Sequence, residues 1–592
     1  MIAPVAERVG ETRRSRGFGR AALTIGVLTV AARMVGFGRQ VVFAHTVGTT
    51  CLGTAYTTAN MVPNIIYDIV LGGALSSVVV PVLASRVDSE GSEREQTRQI
   101  ASALLTWTVV LLAPVSALLA VAARPIVTAA LSDASGCPHA SLAGVGTRML
   151  IVFAPQVLLY GLAVVLYGIL QSHRRFGAPA LAPLLSSLVV VGVYAGFGVV
   201  GEQYVNHLAT LPAFPEYLLS GGTTLGVVML VAAALVPAWR LHLAPRPTLR
   251  FPSGVGARVR KLALAGVLAL IAQDASVAVV IVLANRYGHS GALVLYGFAW
   301  AVFVVPFAVL AVPIATSAFP ELAVQSRRDY PPNPPVPSRG DYPPEPGGQS
   351  RGGRPPESPG DQPERAVAAG QRGGGDFNET AAASTRAVLL ASMLGAAALA
   401  GARIPLARVF ESHSPTSAWV LSTALAVFAP GLIGYGLSAN LSRVLYALGR
   451  NRAPALAISA GWLLVIVADV AIVPFIPRSR VVPALGLGTT IGLTAAGIAL
   501  LLLVRRERGS APLTGMWRAF GAGLAGCLCA TAAGTGLAMV IRVSGFFPNV
   551  AVSVAVSAVV TGVFLAVAAA LDGGDARAAI ARLRSPRVPA GR

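Results

Sequence analysis

The sequence predicts an all-α polytopic membrane protein of about 14 transmembrane helices: two parallel six-helix bundles, spans 1–6 and 7–12, plus two extra C-terminal helices. Three observations predict it. The chain of 592 residues is 54% hydrophobic and only 12% charged, with a mean hydropathy of +0.68. Its apolar residues gather in runs of the length that a helix needs to cross a hydrocarbon core of ~30 Å, roughly 20 residues each. Its basic residues collect in every second gap between those runs.

Taken in order, the runs place spans at 20–46, 56–84, 99–122, 144–170, 178–200, 218–238, 260–285, 291–322, 380–401, 416–448, 454–475, 483–504, 516–541 and 549–571. Lipid offers the backbone no hydrogen-bond partners, so each run satisfies its own N–H and C=O groups as a helix. Around them lie a cytoplasmic N-terminus (1–19), the first bundle (20–240), a cytoplasmic loop (241–259), the second bundle (260–323 and 377–505), helices 13–14 (516–571) and a basic tail (572–592). The first apolar run is too long for a cleavable signal, and further spans follow it.

Charge sets the orientation. Arg13, Arg14 and Arg16 precede span 1, and Arg86, Arg94 and Arg98 follow span 2. Arg174 and Arg175 follow span 4, Arg240 to Lys261 bridge spans 6 and 7, and Arg505, Arg506 and Arg508 follow span 12. The alternate gaps are poor in Lys and Arg, and 44–55 and 201–217 have none. The positive-inside rule then puts both termini in the cytoplasm of a bacterial cytoplasmic membrane. It assigns the formal net charge of +21 to anionic lipid headgroups rather than nucleic acid.

Residues 324–376 break the pattern. The repeated DYPP and the density of Pro, Gly and Arg cannot build a core. The expectation is a disordered cytoplasmic linker, either a tolerated insertion or a ligand for a proline-reading cell-wall or division protein.

An internal repeat divides the rest. Val80-Pro81-Val82-Leu83-Ala84 closes span 2 and Phe319-Pro320-Glu321-Leu322-Ala323 closes span 8, an offset of 239. Ala178-Pro179-Ala180-Leu181-Ala182 opens span 5 and Ala453-Pro454-Ala455-Leu456-Ala457 opens span 11, an offset of 275. The linker supplies the difference. Parallel repeats about an axis along the membrane normal are a transporter architecture.

Few ionisable residues lie inside spans, where they are costly and face a wet cavity or a partner. Arg33 and Arg39 sit in span 1, about 120° apart on an ideal helix. Gly36 and Gly38 between them can open that angle. Arginine forks match phosphate oxygens, whereas a residue near a span end can simply snorkel to the interface. Asp274 lies in span 7, Asp469 in span 11, and Thr489 and Thr490 in span 12. Their oxygens suit Na⁺, or a carboxylate can carry a proton. Cys51 and Cys137 fall in gaps expected outside, where a disulfide is permitted. There is no metal-ligand spacing, nucleotide-binding loop or nucleophile–base motif, so neither an enzyme nor a resident cofactor is expected.

The ordered motifs Arg33-Met-Val-Gly-Phe-Gly-Arg39, Val62-Pro63-Asn64, Gly73-Ala74, Val80-Pro81, Tyr167-Gly-Ile-Leu-Gln-Ser-His-Arg-Arg-Phe176 with Pro179 and Pro183, and Arg443-Val-Leu-Tyr-Ala-Leu448 with Pro454 resemble the MviN/MurJ flippases, within the multidrug/oligosaccharidyl-lipid/polysaccharide exporter superfamily. The resemblance covers spans 1–12 and accommodates the extra pair. It implies translocation of lipid II, the undecaprenyl-diphosphate-linked peptidoglycan precursor, from inner to outer leaflet. It also implies that Arg33 and Arg39 belong to a central cavity and that a cation site lies in the second bundle. The chain departs from the family pattern in span 2, where Tyr67, with Asp68 beside it, and Gly72 replace a basic and an acidic residue. In span 8 the expected basic position falls near Ala301, beside Trp300. Tyr67 and Trp300 either stack on sugar faces or pack in the interior. Three readings remain: a lipid II flippase, a flippase for another polyprenyl-linked oligosaccharide, and a non-transporting membrane scaffold.

Overall fold

In the computed structural model the described residues are 28, 31–70, 92–131, 137–173, 175–241, 246–250, 255–329, 362–411 and 415–572. Among them the secondary structure is helical throughout. Among the described residues eleven helices are long and apolar enough to cross a membrane, or 12 with one bent pair, so the chain is a multi-pass membrane protein.

The first bundle starts with α1 (31–46), unbroken across Gly36 and Gly38, and α2 (Cys51–Val70). It continues with α3 (Ser92–Val121), the short α4 (Ala123–Ala130), α5 (His139–Phe153) and α6 (Gln156–Ser172). It closes with α7 (Gly177–Val200) and α8 (Ala213–Trp239). Parts of the expected spans 1 and 2 lie outside the described residues, so these two do not enter the count. Spans 3–9 and 11–14 match candidate membrane-crossing helices, and span 10 is the bent pair.

The second bundle comprises α9 (Val255–Tyr287), α10 (Ala292–Pro306), α11 (Val312–Asp329) and α12 (Gln362–Gly401). A π-helical turn over Phe307–Ala311 joins α10 to α11, so span 8 is one long crossing. Next come the short α13 (Arg403–Val409), α14 (Pro415–Phe428), α15 (Gly431–Ala447), α16 (Arg452–Ile472) and α17 (Val481–Arg508). The extra pair, α18 (Met516–Val540) and α19 (Phe546–Leu571), packs on α12.

The linker expected over 324–376 is narrower than its composition implied. α11 runs to Asp329 and α12 begins at Gln362, because ELAVQSRRD and QPERAVAAGQ are rich in good helix formers. Residues 330–361, which hold the second DYPP copy and all but Asp329 of the first, lie outside the described residues.

The repeat is visible in the packing. α7 lies against α8 as α16 lies against α17, and α6 touches α8 as α15 touches α17. Spans 4 and 10 both break at the same tripeptide, Phe153-Ala154-Pro155 and Phe428-Ala429-Pro430, at the repeat offset of 275. A proline has no N–H to donate and crowds the preceding turn, which is why the helix interrupts there. In each copy the phenylalanine before the break meets a tyrosine two spans earlier: Phe153 with Tyr56 at 5.6 Å, and Phe428 with Tyr296 at 5.7 Å between ring centroids.

One end of the bundles is tied together covalently. Cys51 and Cys137 form a disulfide with Cα atoms 5.7 Å apart. Cys51, expected in a loop, is the first residue of α2. The free N–H groups of that helix start are met from the 201–211 connection: Cys51 N–H donates to Asn206 Oδ1 (3.2 Å) and Leu52 N–H to the Val205 carbonyl (2.9 Å). Close by, Arg148 donates to both carboxylate oxygens of the buried Glu216 at 2.8 and 2.7 Å, joining α5 to α8. The opposite end carries the arginine clusters, including Arg505, Arg506 and Arg508 in the last turn of α17.

Candidate functional site: a polar cavity at the bundle interface

A cavity of about 370 Å³ opens between the bundles. Arg39, Gln40 and Phe43 of α1 form one wall, and Tyr56, Thr57, Asn60 and Asn64 of α2 form the next. Tyr160, Ser186, Ser187 and Tyr194 come from α6 and α7, and Thr223 from α8. The second bundle supplies only Val294, Gly297 and Phe298 of α10. Polar residues at such depth face a wet cavity for the reason that they cannot face lipid.

The disulfide end of the cavity is sealed by rings. Phe43 meets Tyr56 at 5.2 Å, Tyr194 at 5.1 Å and Phe298 at 6.3 Å, and Phe298 stacks on Phe410 at 4.9 Å. The Tyr56 hydroxyl lies 2.8 Å from that of Tyr194 and 2.9 Å from Thr223 Oγ1, so these buried hydroxyls satisfy one another. Beyond the seal the bundles are clasped. Asn285 Nδ2 of α9 donates to Thr58 Oγ1 of α2 (3.0 Å) and to the Ala130 carbonyl at the end of α4 (3.1 Å). Gly291 N–H donates to Thr54 Oγ1 at 2.8 Å. Gly291 has φ +79° and lies so close to Thr49 that a Cβ would be 2.6 Å from its Cα.

Depth within the cavity follows from the helix rise of ~1.5 Å per residue. α1 and α2 run in opposite directions, and Phe43 and Tyr56 touch. Arg39 is four residues below Phe43 and Asn60 four below Tyr56, so both lie about 6 Å below the seal. Asn64 is one turn nearer the arginine-rich end. The Arg39 guanidinium has no ion pair or side-chain hydrogen bond among the described residues, and it is the one basic side chain among those lining the cavity.

The other residues read as site residues are placed as follows. Arg33 is exposed and does not line the cavity. The straight helix keeps it a turn and two thirds from Arg39 and about 120° around. Tyr67 stands behind the wall, its ring 4.3 Å from that of Tyr160, and neither it nor Asp68 lines the cavity. Trp300 sits among Phe303 (5.3 Å), Trp462 (6.3 Å), Tyr435 (6.4 Å) and Phe428 (6.5 Å). By the offset that relates Tyr56 to Tyr296, Trp300 is the counterpart of Asn60, so the second bundle fills with rings what the first leaves polar.

Asp274 and Asp469 are buried. Neither oxygen of Asp469 has a hydrogen-bond partner among the described residues, nor has Oδ2 of Asp274. A Cβ at Gly488 of α17 would overlap the Asp469 carboxylate, so that glycine makes its room. Thr489 Oγ1 donates to the Leu485 carbonyl (2.9 Å) and is 3.4 Å from the Tyr296 hydroxyl, without bonding Asp469. No group of three or more His, Cys, Asp or Glu is placed to hold a metal among the described residues.

Sequence reading missed Thr57, Asn60 and Asn64. Their spacing of three and four residues in an otherwise apolar span marks one helix face, and that is the signal that finds them.

Two helical halves around a polar cavity are a fold shared with solved membrane transporters. An inward-facing MATE family transporter of the MOP superfamily has this fold, with a TM-score of 0.57 at 15% identity over 82% of this chain and 99% of that one. Residues 43–331 match the family described as Lipid II flippase MurJ, and the resemblance to the MviN/MurJ flippases read from the motifs is borne out. A probable lipid II flippase MurJ of Rhizobium tropici is 22% identical over 303 residues, 51% of this chain and 54% of that protein. The lipid II flippase MurJ of Burkholderia cenocepacia is 26% identical over 313 residues, 51% and 57%. The chain thus spans about half the length of these curated relatives. A solved lipid II flippase MurJ in an inward closed conformation shares the fold almost end to end, with a TM-score of 0.63 at 16% identity over 93% of this chain and 99% of that one.

Proposed function

We propose that this protein is a flippase that moves lipid II from the inner to the outer leaflet by alternating access of its two bundles. One observation carries the reading: Arg39, unpaired among the described residues, stands in a polar cavity between two bundles of a chain that matches the lipid II flippase family. A diphosphate headgroup needs a cationic fork and water-like neighbours, while its isoprenoid tail can stay in lipid. No covalent chemistry is required of the protein. Complementation of a strain depleted of its lipid II flippase tests this: growth supports it, and lysis despite normal membrane expression refutes it.

The runner-up, a flippase for another polyprenyl-linked oligosaccharide, is favoured by the cavity having Arg39 as its one basic lining residue among the described residues. Transport of the alternative lipid with none of lipid II would establish it. The scaffold reading gains nothing from a cavity of this kind.

The arginine-rich end faces the cytoplasm in this proposal and binds anionic lipids there, and the disulfide end faces outward. A cysteine placed at Ser350 in the linker should label only from the cytoplasmic side. The coupling charge is carried at Asp469, with Asp274 as the second candidate. An ionised carboxylate without a partner is costly at that depth, and a proton or Na⁺ bound there relieves it.

A further inference from the structure

We propose that Asn60 and Asn64 are the glycan-reading, specificity-determining residues of the cavity, and that Tyr160 is a positioning residue for Asn64. The inference rests on the transport reading above and adds which part of the substrate each wall recognises. Among the described residues Arg39 is the one fixed positive charge lining the cavity, so the anionic part of a headgroup belongs beside it. Asn60 lies across from Arg39 at the same depth, and Asn64 one turn further along the same face of α2. Both are neutral amides, which pair with sugar hydroxyl and acetamido groups and add nothing to the binding of charge.

Asn64 is held for this task. The Tyr160 hydroxyl donates to Asn64 Oδ1 at 3.1 Å. With its oxygen engaged, the amide turns both Nδ2 hydrogens to other partners, and none is supplied among the described residues. Tyr160 is in turn fixed by Tyr67, the rings 4.3 Å apart and tilted by 34°. Tyr67 thus acts from behind the wall, through Tyr160. The opposite wall, with Ser186 and Ser187 of α7, completes an uncharged lining along the direction in which sugars would extend from a diphosphate at Arg39.

The experiment compares two lipids on purified full-length protein in nanodiscs: lipid II, and undecaprenyl diphosphate, which has the same anion and tail but no sugar. Wild type should bind lipid II more tightly. Asn60→Leu and Asn64→Leu should each weaken lipid II about tenfold, the loss of one or two hydrogen bonds, and leave undecaprenyl diphosphate unchanged. Arg39→Ala should weaken both. Tyr160→Phe should lower the preference for lipid II, and adding it to Asn64→Leu should cost nothing more, because the pair acts as one unit. A Tyr160 with a merely structural role would weaken both lipids alike. Asn60→Ala and Asn64→Ala serve if a leucine variant does not keep the wild-type melting temperature. Equal losses on both lipids, or none on either, overturn the assignment while the transport reading stands. Wild type that binds neither lipid overturns both.

Discussion

The clasp at the disulfide end sets a measurable conformational balance. Asn285 joins α9 to both α2 and α4, through hydrogen bonds of 3.0 and 3.1 Å. If the bundles part at this end during transport, both bonds break. Asn285→Ala removes them in advance. Each net hydrogen bond is worth roughly 0.5–1.5 kcal/mol, so the closed arrangement loses about 2 kcal/mol. That is roughly a 30-fold shift of the equilibrium toward an outward opening, at about 1.4 kcal/mol per factor of ten. Neither partner is stranded by opening, since Thr58 Oγ1 and the Ala130 carbonyl then reach water. The assay is labelling of a cavity cysteine, Ser187→Cys, by a membrane-impermeant maleimide added outside intact cells. Cys527 and Cys529 are replaced by alanine, and Cys51 and Cys137 do not react while bonded to each other. Adding Asn285→Ala should raise the labelling rate by an order of magnitude. A rate within about twofold of the parent would show that Asn285 does not hold this end shut.

Three further outcomes follow from the site. Arg39→Ala should abolish transport at normal expression and Arg39→Lys should restore part of it, because a point charge replaces a fork, while Arg33→Ala should keep most activity; reconstituted flipping assays distinguish them. Asp469→Asn should remove the dependence of transport on a Na⁺ or proton gradient, and Gly488→Ala should lower thermal stability by about 1–3 kcal/mol through overpacking against that carboxylate; an unchanged ion dependence would make Asp469 structural. Mass mapping without reductant should recover Cys51 and Cys137 in one linked species, and two free thiols would refute the bond.

The spans were legible because a membrane helix leaves a long apolar run, and their bounds agree within a few residues wherever the structure describes them. Arg39 was legible because a charge inside such a run is costly. Asn60 and Asn64 are harder to read: their spacing with Thr57 marks one face of α2, but nothing in the sequence says that this face meets a cavity until α6 and α7 are placed beside it. Trp300 shows the opposite failure. Aromatic residues serve sugar faces and ring clusters equally well, and only the surrounding Phe303, Phe428, Tyr435 and Trp462 tell which. The linker edges went astray because composition was read across 324–376 as a block, while helix formers at both margins continue α11 and α12.

The repeat explains why the work is divided between the halves. Both copies keep the Phe-Ala-Pro break and a tyrosine packed on its phenylalanine, so the geometry of spans 4 and 10 is shared. What differs is the next turn of the helix carrying that tyrosine. In the first bundle it presents Asn60 and then Asn64 to open space, facing Arg39. In the second, Trp300 closes the equivalent space with rings. The cavity is therefore lined mostly by the first bundle, and the second adds only Val294, Gly297 and Phe298 of α10. The buried carboxylate Asp469, without a hydrogen-bond partner among the described residues, lies in the other half. In the proposed cycle, a headgroup at Arg39 and a coupling ion at Asp469 would act on different bundles, and what connects those two sites is the shared boundary where α2 meets α9 and α10. Binding at either site can move the other only by changing how those surfaces meet, and the Asn285 and Gly291 hydrogen bonds are the contacts whose breaking would register it.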